Sequence, residues 1–206
     1  MKESYKGSIV KKIESMEPGS VFIANDFLDM ASYERVRNIL NRLVIDGEIQ
    51  RVLKGVYYQP RFSDLINEYE APNVHRVAQA IARKYNWTIA PSGKTALNIL
   101  GLSTQVPAKW SYISDGRYIT YSFDGIEIEF KKRSNAKISG MSPMTALVIG
   151  AIKSLGKDGV TEVQIETIRK KLTEEEKTIL LEEGKTASAW IYEVLRKVGE
   201  KEGDSL

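Results

Sequence analysis

Arginine and asparagine side chains gather on one face of a helix predicted between Ser32 and Gly47. Its outer face carries Tyr33, Glu34, Arg37, Asn38 and Asn41, with Arg35 and Arg42 at the flanks. Arginine can donate two parallel hydrogen bonds to a guanine edge, and asparagine can pair in the same way with adenine. Flanking arginines can pair with phosphates. These side chains therefore favour contact with double-stranded DNA, although most exposed Arg and Asn residues are simply solvated.

The elements around this helix have an informative order. Apolar residues at three- and four-residue intervals predict an amphipathic helix from about Ser4 to Met16. A short apolar strand is expected at 21–23, and Asn25 is expected to cap a short second helix. Ser32 should cap the third helix. Its expected core face is Val36, Ile39, Leu40, Leu43 and Val44.

Two short strands are predicted after the third helix, joined by a turn at Lys54-Gly55. Glycine provides the positive φ that such a turn needs. Arg51 and Lys54 are expected on or near the hairpin tip. Because alternate strand residues point in opposite directions, one of Tyr57 and Tyr58 must face the core. Helix, turn, helix and basic hairpin together predict a winged helix-turn-helix.

The fold class expected for the chain is α+β, with the winged helix-turn-helix as an N-terminal domain over residues 1–62. Residues 63–73 are interpreted as a linker, and 74–206 as a second domain with an antiparallel β region and C-terminal helices. The predicted DNA-binding residues are Ser32, Tyr33, Arg35, Arg37, Asn38, Asn41, Arg42, Arg51 and Lys54. Basic residues outnumber acidic ones from Ser32 to Arg61, and the reverse holds from Glu162 onward.

The expected second domain shows local signals for strands and helices. Asp115-Gly116 and Asp124-Gly125 each predict a hairpin, because both pairs lie between alternating residues. On the last of these strands, Glu127 and Glu129 are expected on a solvated face rather than as an acid–base pair. Helix starts are predicted at Ser142-Pro143 and at two capping boxes. A secondary basic patch is predicted at Lys131, Lys132, Arg133 and Lys137.

The composition argues against an enzyme, a metal site and a cofactor. The 206 residues include no cysteine and one histidine, His75, which is expected at the surface. The SGKT string at 92–95 lacks the first glycine of a phosphate loop, since position 88 is threonine. The N-terminus has no signal-peptide pattern, and no run of about 18 apolar residues predicts a membrane span. A cytoplasmic protein is therefore expected.

Two stretches of the sequence resemble one known family. Residues 43–58, LVIDGEIQRVLKGVYY, and residues 90–102, APSGKTALNILGL, are similar to AbiEi-type antitoxins of type IV toxin–antitoxin systems, as is the helix containing Thr145. The resemblance extends to about residue 155. It implies a DNA-binding autorepressor that recognises inverted repeats and counteracts a nucleotidyltransferase-like toxin, typically in abortive infection of phage-attacked cells. Its DNA-contacting residues would lie in the winged helix.

Other functions fit the same pattern. A plain winged-helix transcriptional regulator could carry a ligand-sensing or dimerising C-terminal domain. A winged helix can also bind protein instead of DNA. The sequence leaves the operator, the toxin, the toxin-facing residues and the choice between monomer and dimer open.

Overall fold

A computed structural model describes residues 4–65, 67–132 and 140–200, which combine helices with several sheets in a mixed α+β fold. The chain divides into two compact units, Met1–Trp87 and Thr88–Leu206. This boundary differs from the predicted linker at 63–73. Among the described helices, none is long and apolar enough to cross a membrane.

The first unit begins with two helices separated by a short strand and a single 3₁₀ turn. Its elements are α1 (Tyr5–Glu14), β1 (Val21–Phe22), a 3₁₀ helix (Ala24–Phe27), α2 (Tyr33–Ile45), β2 (Gln50–Leu53), β3 (Val56–Tyr58), β4 (Phe62–Ser63), β5 (Glu68–Tyr69) and α3 (Val74–Tyr85). One antiparallel sheet has the order β1-β3-β2, and β4 pairs with β5. Asn25 lies inside the 3₁₀ helix and does not cap it. Instead, the Asp26 carboxylate accepts the Ile23 amide at 2.9 Å.

One apolar core holds these elements together. It contains Ile9, Ile13, Phe22, Ala24, Phe27, Val36, Ile39, Leu40, Leu43, Ile49 and Tyr57. Phe27 is fully buried, and its ring meets that of Phe22 edge to face at 5.6 Å. The 3₁₀ helix and α2 are therefore packed into the same core, since Phe27 and the buried face of α2 both belong to it.

Both tyrosines of β3 are buried, so the expectation that one of them faces the core was incomplete. Tyr57 stacks on Phe22 at 6.2 Å. Tyr58 points to the opposite face, where its hydroxyl donates to the Glu70 carbonyl at 2.8 Å and accepts the Arg61 amide at 3.3 Å. The segment predicted as a linker is therefore hydrogen-bonded to the sheet through Glu70.

Helix α3 completes the first unit. Arg76 contacts the Glu17 carboxylate at 2.9 Å. Arg83 donates to both the Asp26 carboxylate and the Val21 carbonyl at 3.2 Å. The prediction that this helix opens a second domain was wrong, because the bonding partners of its arginines lie at the start of the chain. The Asn73 side chain caps this helix and accepts the Arg76 amide at 3.1 Å.

The second unit combines a four-stranded sheet with a group of helices. Its elements are β6 (Ile89–Pro91), α4 (Lys94–Ile99), β7 (Lys109–Ser114), β8 (Ile119–Phe123), β9 (Ile126–Lys132), α5 (Pro143–Leu155), a 3₁₀ turn (Lys157–Gly159), α6 (Glu162–Lys171), α7 (Glu174–Gly184) and α8 (Ala189–Gly199). The strand order is β6-β7-β9-β8. Helix α5 is buried on most of its surface, because α4 and α6 to α8 pack on one side and β6 and β7 on the other.

One of the two predicted hairpins is present. Asp124 and Gly125 both have positive φ, 47° and 75°, and join the antiparallel pair β8–β9. The Asp115-Gly116 hairpin was wrong, because β7 pairs with β9 in parallel. The Asp115 carboxylate instead accepts the Thr88 amide at 2.8 Å. The β region is therefore mixed rather than antiparallel throughout.

The N-terminus of α5 is bound by a carboxylate from α7. Glu183 accepts the Ser142 amide at 2.9 and 3.0 Å and the Ser142 hydroxyl at 2.9 Å. Burial raises the pKa of Glu183, but hydrogen bonds from Thr145 and Ser142 outweigh it and the net pKa is lowered. The ionised form is therefore the one that stabilises the fold.

We expect Glu183→Gln to lower the free energy of unfolding by about 1 kcal/mol near neutral pH, because charge-assisted hydrogen bonds become neutral ones. A lowered folded-state pKa contributes stability above the unfolded value, here 4.5, and this is lost as pH falls through the folded value. The difference between variant and wild type should therefore shrink in acid. Denaturant unfolding at several pH values measures it. A pH-independent difference would contradict the role of the charge.

Candidate nucleic-acid interface

Helix α2 presents a polar outer face, as its sequence predicts. Val36, Ile39, Leu40 and Leu43 are buried, and Val44 is partly buried. The predicted contact residues Tyr33, Arg35, Arg37, Asn38 and Arg42 are exposed, with Asn41 partly exposed. Ser32 occupies the N-cap, but its side chain makes no capping hydrogen bond. Its hydroxyl thus lies at the exposed start of the helix.

One flank of α2 meets the β2–β3 hairpin. Arg51 donates to Asn41 Oδ1 at 2.6 Å, and the Tyr57 hydroxyl donates to the same oxygen at 3.3 Å. The Arg51 guanidinium also lies 5.8 Å from the centre of the Tyr57 ring. Both lone pairs of the Asn41 oxygen are therefore occupied. A bidentate contact with adenine would need this oxygen as an acceptor, so Asn41 is less suited to such a contact than Asn38, whose side chain makes no hydrogen bond in the described part of the chain.

The charges on this flank act on one another. Burial raises the pKa of Tyr57, and Arg51 partly opposes the rise. Tyr33 raises this pKa further, whereas Arg37 lowers it. Arg37 is four residues before Asn41 on α2 and so lies on the same side of the helix.

The other flank of α2 faces α1. The Arg35 guanidinium stacks over the Tyr5 ring at 4.6 Å. Near the C-terminal end of α2, Lys6 pairs with Asp46 at 3.3 Å and with Glu48 at 3.7 Å. Lys6 partly neutralises these two carboxylates, so they offset less of the positive charge of the α2 arginines.

Three predicted contact residues have side chains without a partner in the described part of the chain. Within residues 4–65, 67–132 and 140–200, the side chains of Arg37, Asn38 and Arg42 make no hydrogen bond or ion pair. Arginine side chains held this way keep all five N–H donors for an external acceptor. The outer face of α2 can therefore bind phosphates or base edges without first breaking internal contacts.

Two residues on this surface were not among the predicted contact residues. Ile45 is 82% exposed on α2, and it lies one heptad after Asn38 and so on the same side of the helix. An apolar side chain at such a place can contact a thymine methyl group. Lys84 of α3 donates to the Lys54 carbonyl at the hairpin tip at 2.6 Å. No sequence signal connects these two lysines, since they are thirty residues apart.

The secondary basic patch is only partly described. Lys131 pairs with Glu129 at 3.1 Å, and Lys132 is exposed at the end of β9. Arg133 and Lys137 lie outside the described residues. The pairing reduces the charge that Lys131 offers to an external partner.

Glu129 is buried, so its expected place on a solvated face was wrong. It is 5% exposed and accepts the Tyr118 hydroxyl at 2.6 Å and the Ser111 hydroxyl at 3.2 Å. The Tyr118 hydrogen bond is the largest cause of its lowered pKa, with Lys131 and Ser111 adding to it against burial. The carboxylate is thus a satisfied buried anion. Glu127 lies nearer the surface and pairs with Lys109 at 3.2 Å.

The remaining chemical candidates have structural partners. Thr95 of the SGKT string is buried, and its hydroxyl accepts the Ser111 amide at 2.8 Å. The His75 ring lies 3.1 Å from the Gln79 side-chain nitrogen, and burial lowers its pKa. No group of three or more potential ligands gathers for a metal ion in the described part of the chain.

A family model covers most of the chain. It is described as a family of unknown function, DUF6088, and matches residues 8–180. No curated protein matches the sequence. Among solved structures, the crystal structure of the RV2827C protein from Mycobacterium tuberculosis is similar with a TM-score of 0.42 and 11% identity, over 96% of this chain and 78% of that one. The matched residues 8–180 include all of α2 and the β2–β3 hairpin.

Proposed function

The chain belongs to DUF6088, a family of unknown function, and we propose that it binds double-stranded DNA through a winged helix-turn-helix. The observation that carries the proposal is the outer face of α2. There Arg37, Asn38 and Arg42 are exposed and unpaired within the described residues, beside a hairpin that presents Arg51 and Lys54. Two elements carrying DNA-type donors thus share one surface.

The order of elements supports a winged helix. Helix α1, the 3₁₀ helix and α2 share one core, and the three-stranded sheet β1-β3-β2 closes it. In this arrangement α2 is the recognition helix for the major groove, and the β2–β3 hairpin is the wing. Arg37 and Asn38 are assigned to base edges. Arg42 and Lys54 are assigned to phosphates, which position a protein on DNA without reading its sequence.

The wider biological role rests on the resemblance to AbiEi-type antitoxins. On this basis the protein represses its own toxin–antitoxin operon from the cytoplasm, and the second unit counteracts a nucleotidyltransferase-like toxin. Co-expression with the neighbouring gene provides a test. Growth arrest by that gene alone, relieved by this protein, supports the role; no arrest, or arrest without relief, counts against it. A plain transcriptional regulator would bind DNA but relieve nothing.

The DNA-binding proposal predicts salt-dependent affinity and a preference for the DNA upstream of the protein's own gene. Phosphate contacts release counterions, so the logarithm of the binding constant should fall linearly with the logarithm of salt concentration. Fluorescence anisotropy with the upstream duplex and a shuffled duplex measures both quantities. If the protein bound neither duplex, or bound both equally at moderate salt, the proposed repressor role would be contradicted.

A further inference from the structure

The tip of the β2–β3 hairpin is completed by a side chain from α3. Gly55 has a φ of 76°, which turns the chain between β2 and β3. Lys84 Nζ donates to the Lys54 carbonyl at 2.6 Å. A Cβ placed on Gly55 would lie 3.2 Å from the same ammonium nitrogen. The Lys84 charge is therefore packed directly against the turn.

This ammonium group retains capacity for another partner. It lies 5.0 Å from the centre of the Tyr85 ring, and within the described ranges Lys84 and Lys54 make no ion pair. An ammonium has three N–H donors, of which the Lys54 carbonyl takes one. Lys84 is partly exposed, and Lys54 is exposed. The Lys84 ammonium therefore lies at the hairpin tip, whose turn also carries the exposed Lys54 side chain, and neither lysine is ion-paired within the described ranges.

We propose that Lys84 is a phosphate-contacting residue of the DNA interface and that α3 extends the wing. The proposal rests on the proposed DNA binding of the first unit. Arg76 and Arg83 hold α3 against Glu17, Asp26 and the Val21 carbonyl, so Lys84 projects from a fixed element. Lys54 and Lys84 can then pair with neighbouring phosphates of one strand, since backbone charges follow closely along DNA. The interface thus uses residues well beyond the predicted domain end at residue 62.

The test measures how affinity for a labelled random-sequence duplex depends on salt. Lys84→Ala should lower the slope of the log–log plot by about 1, the effect of losing one phosphate contact. Lys84→Arg keeps the charge and should keep the slope. Lys157→Ala is the matched control, because it removes an exposed lysine from the second unit and should leave the slope unchanged. Thermal unfolding of each variant checks that the first unit remains folded.

The outcomes separate the two proposals. A wild-type protein that fails to bind any duplex overturns the proposed function itself. Wild-type binding with an unchanged slope in Lys84→Ala overturns the Lys84 assignment alone. An equal loss of DNA affinity in Lys84→Ala and Lys84→Arg at an unchanged slope also overturns it. That result would mean that Lys84 stabilises the turn and does not contact a phosphate.

Discussion

Replacing Arg37 with alanine is expected to weaken binding to the preferred DNA site by about 1–3 kcal/mol, roughly 5- to 150-fold. The Arg37 side chain is exposed and makes no hydrogen bond or ion pair in the described residues, so its guanidinium can be presented to a guanine edge with all its donors available. A bidentate contact discriminates between bases. The loss should therefore be much smaller on random-sequence DNA. A site selected from a random pool, followed by anisotropy titrations, provides the measurement.

Two further variants decide whether Arg37 reads a base. Arg37→Lys keeps the charge but cannot reproduce the planar fork, so it should lose preference almost as fully as alanine. Arg42→Ala should weaken binding to all sequences alike and lower the salt slope by about 1, because Arg42 is assigned to a phosphate. If Arg37→Ala lost the same affinity on all sequences, or if Arg37→Lys kept the full preference for the selected site, Arg37 would be assigned to a phosphate as well.

The features of α2 that could be predicted are local ones. The helical repeat correctly separates Val36, Ile39, Leu40 and Leu43 from the exposed side, because each residue's direction follows from its position along the helix. The helical repeat does not show which partners the exposed residues contact. Arg51 takes its hydrogen-bond partner, Asn41, from α2 and its ring partner, Tyr57, from the pairing of β2 with β3.

The two Asp-Gly pairs show why turn residues alone do not predict which strands pair. Asp124-Gly125 joins two strands that are neighbours both in sequence and in the sheet. Asp115-Gly116 has the same residue types, but β9 separates the strands on either side of it. This insertion also explains the burial of Glu129. A central strand has neighbours on both sides, and here Ser111 of β7 and Tyr118, which precedes β8, both reach the carboxylate.

The first unit extends to Trp87, beyond the predicted end at residue 62, for a related reason. Proline at 60 and 72 correctly indicates a break in regular structure. It does not show whether the chain leaves the domain or folds back on it. Tyr58 donates a hydrogen bond to the Glu70 carbonyl, and Arg83 donates one to the Asp26 carboxylate. The chain after Pro60 therefore folds back onto the first unit. These contacts join distant positions and become visible only in three dimensions.

Phe27→Ala is expected to cost the first unit about 3–5 kcal/mol of unfolding free energy, as truncations of buried aromatic residues do. Phe27 is 0% accessible to solvent and packs against Phe22 in the core that α2 shares. Small domains have only about 5–15 kcal/mol in total. DNA binding should therefore be strongly reduced, because α2 loses the packing that orients it. Hydrogen exchange of peptides from 4–65 should show reduced protection.

Leu180→Ala provides the matched comparison in the second unit. Leu180 is also fully buried, and its truncation should cost about 2–5 kcal/mol. Because each unit has its own core, this variant should lose protection in peptides from 140–200 and keep DNA affinity. If Phe27→Ala proves too unstable to purify, Phe27→Leu should show the same pattern with a smaller loss. DNA affinity that falls equally with Leu180→Ala would show that DNA binding does not reside in the first unit alone.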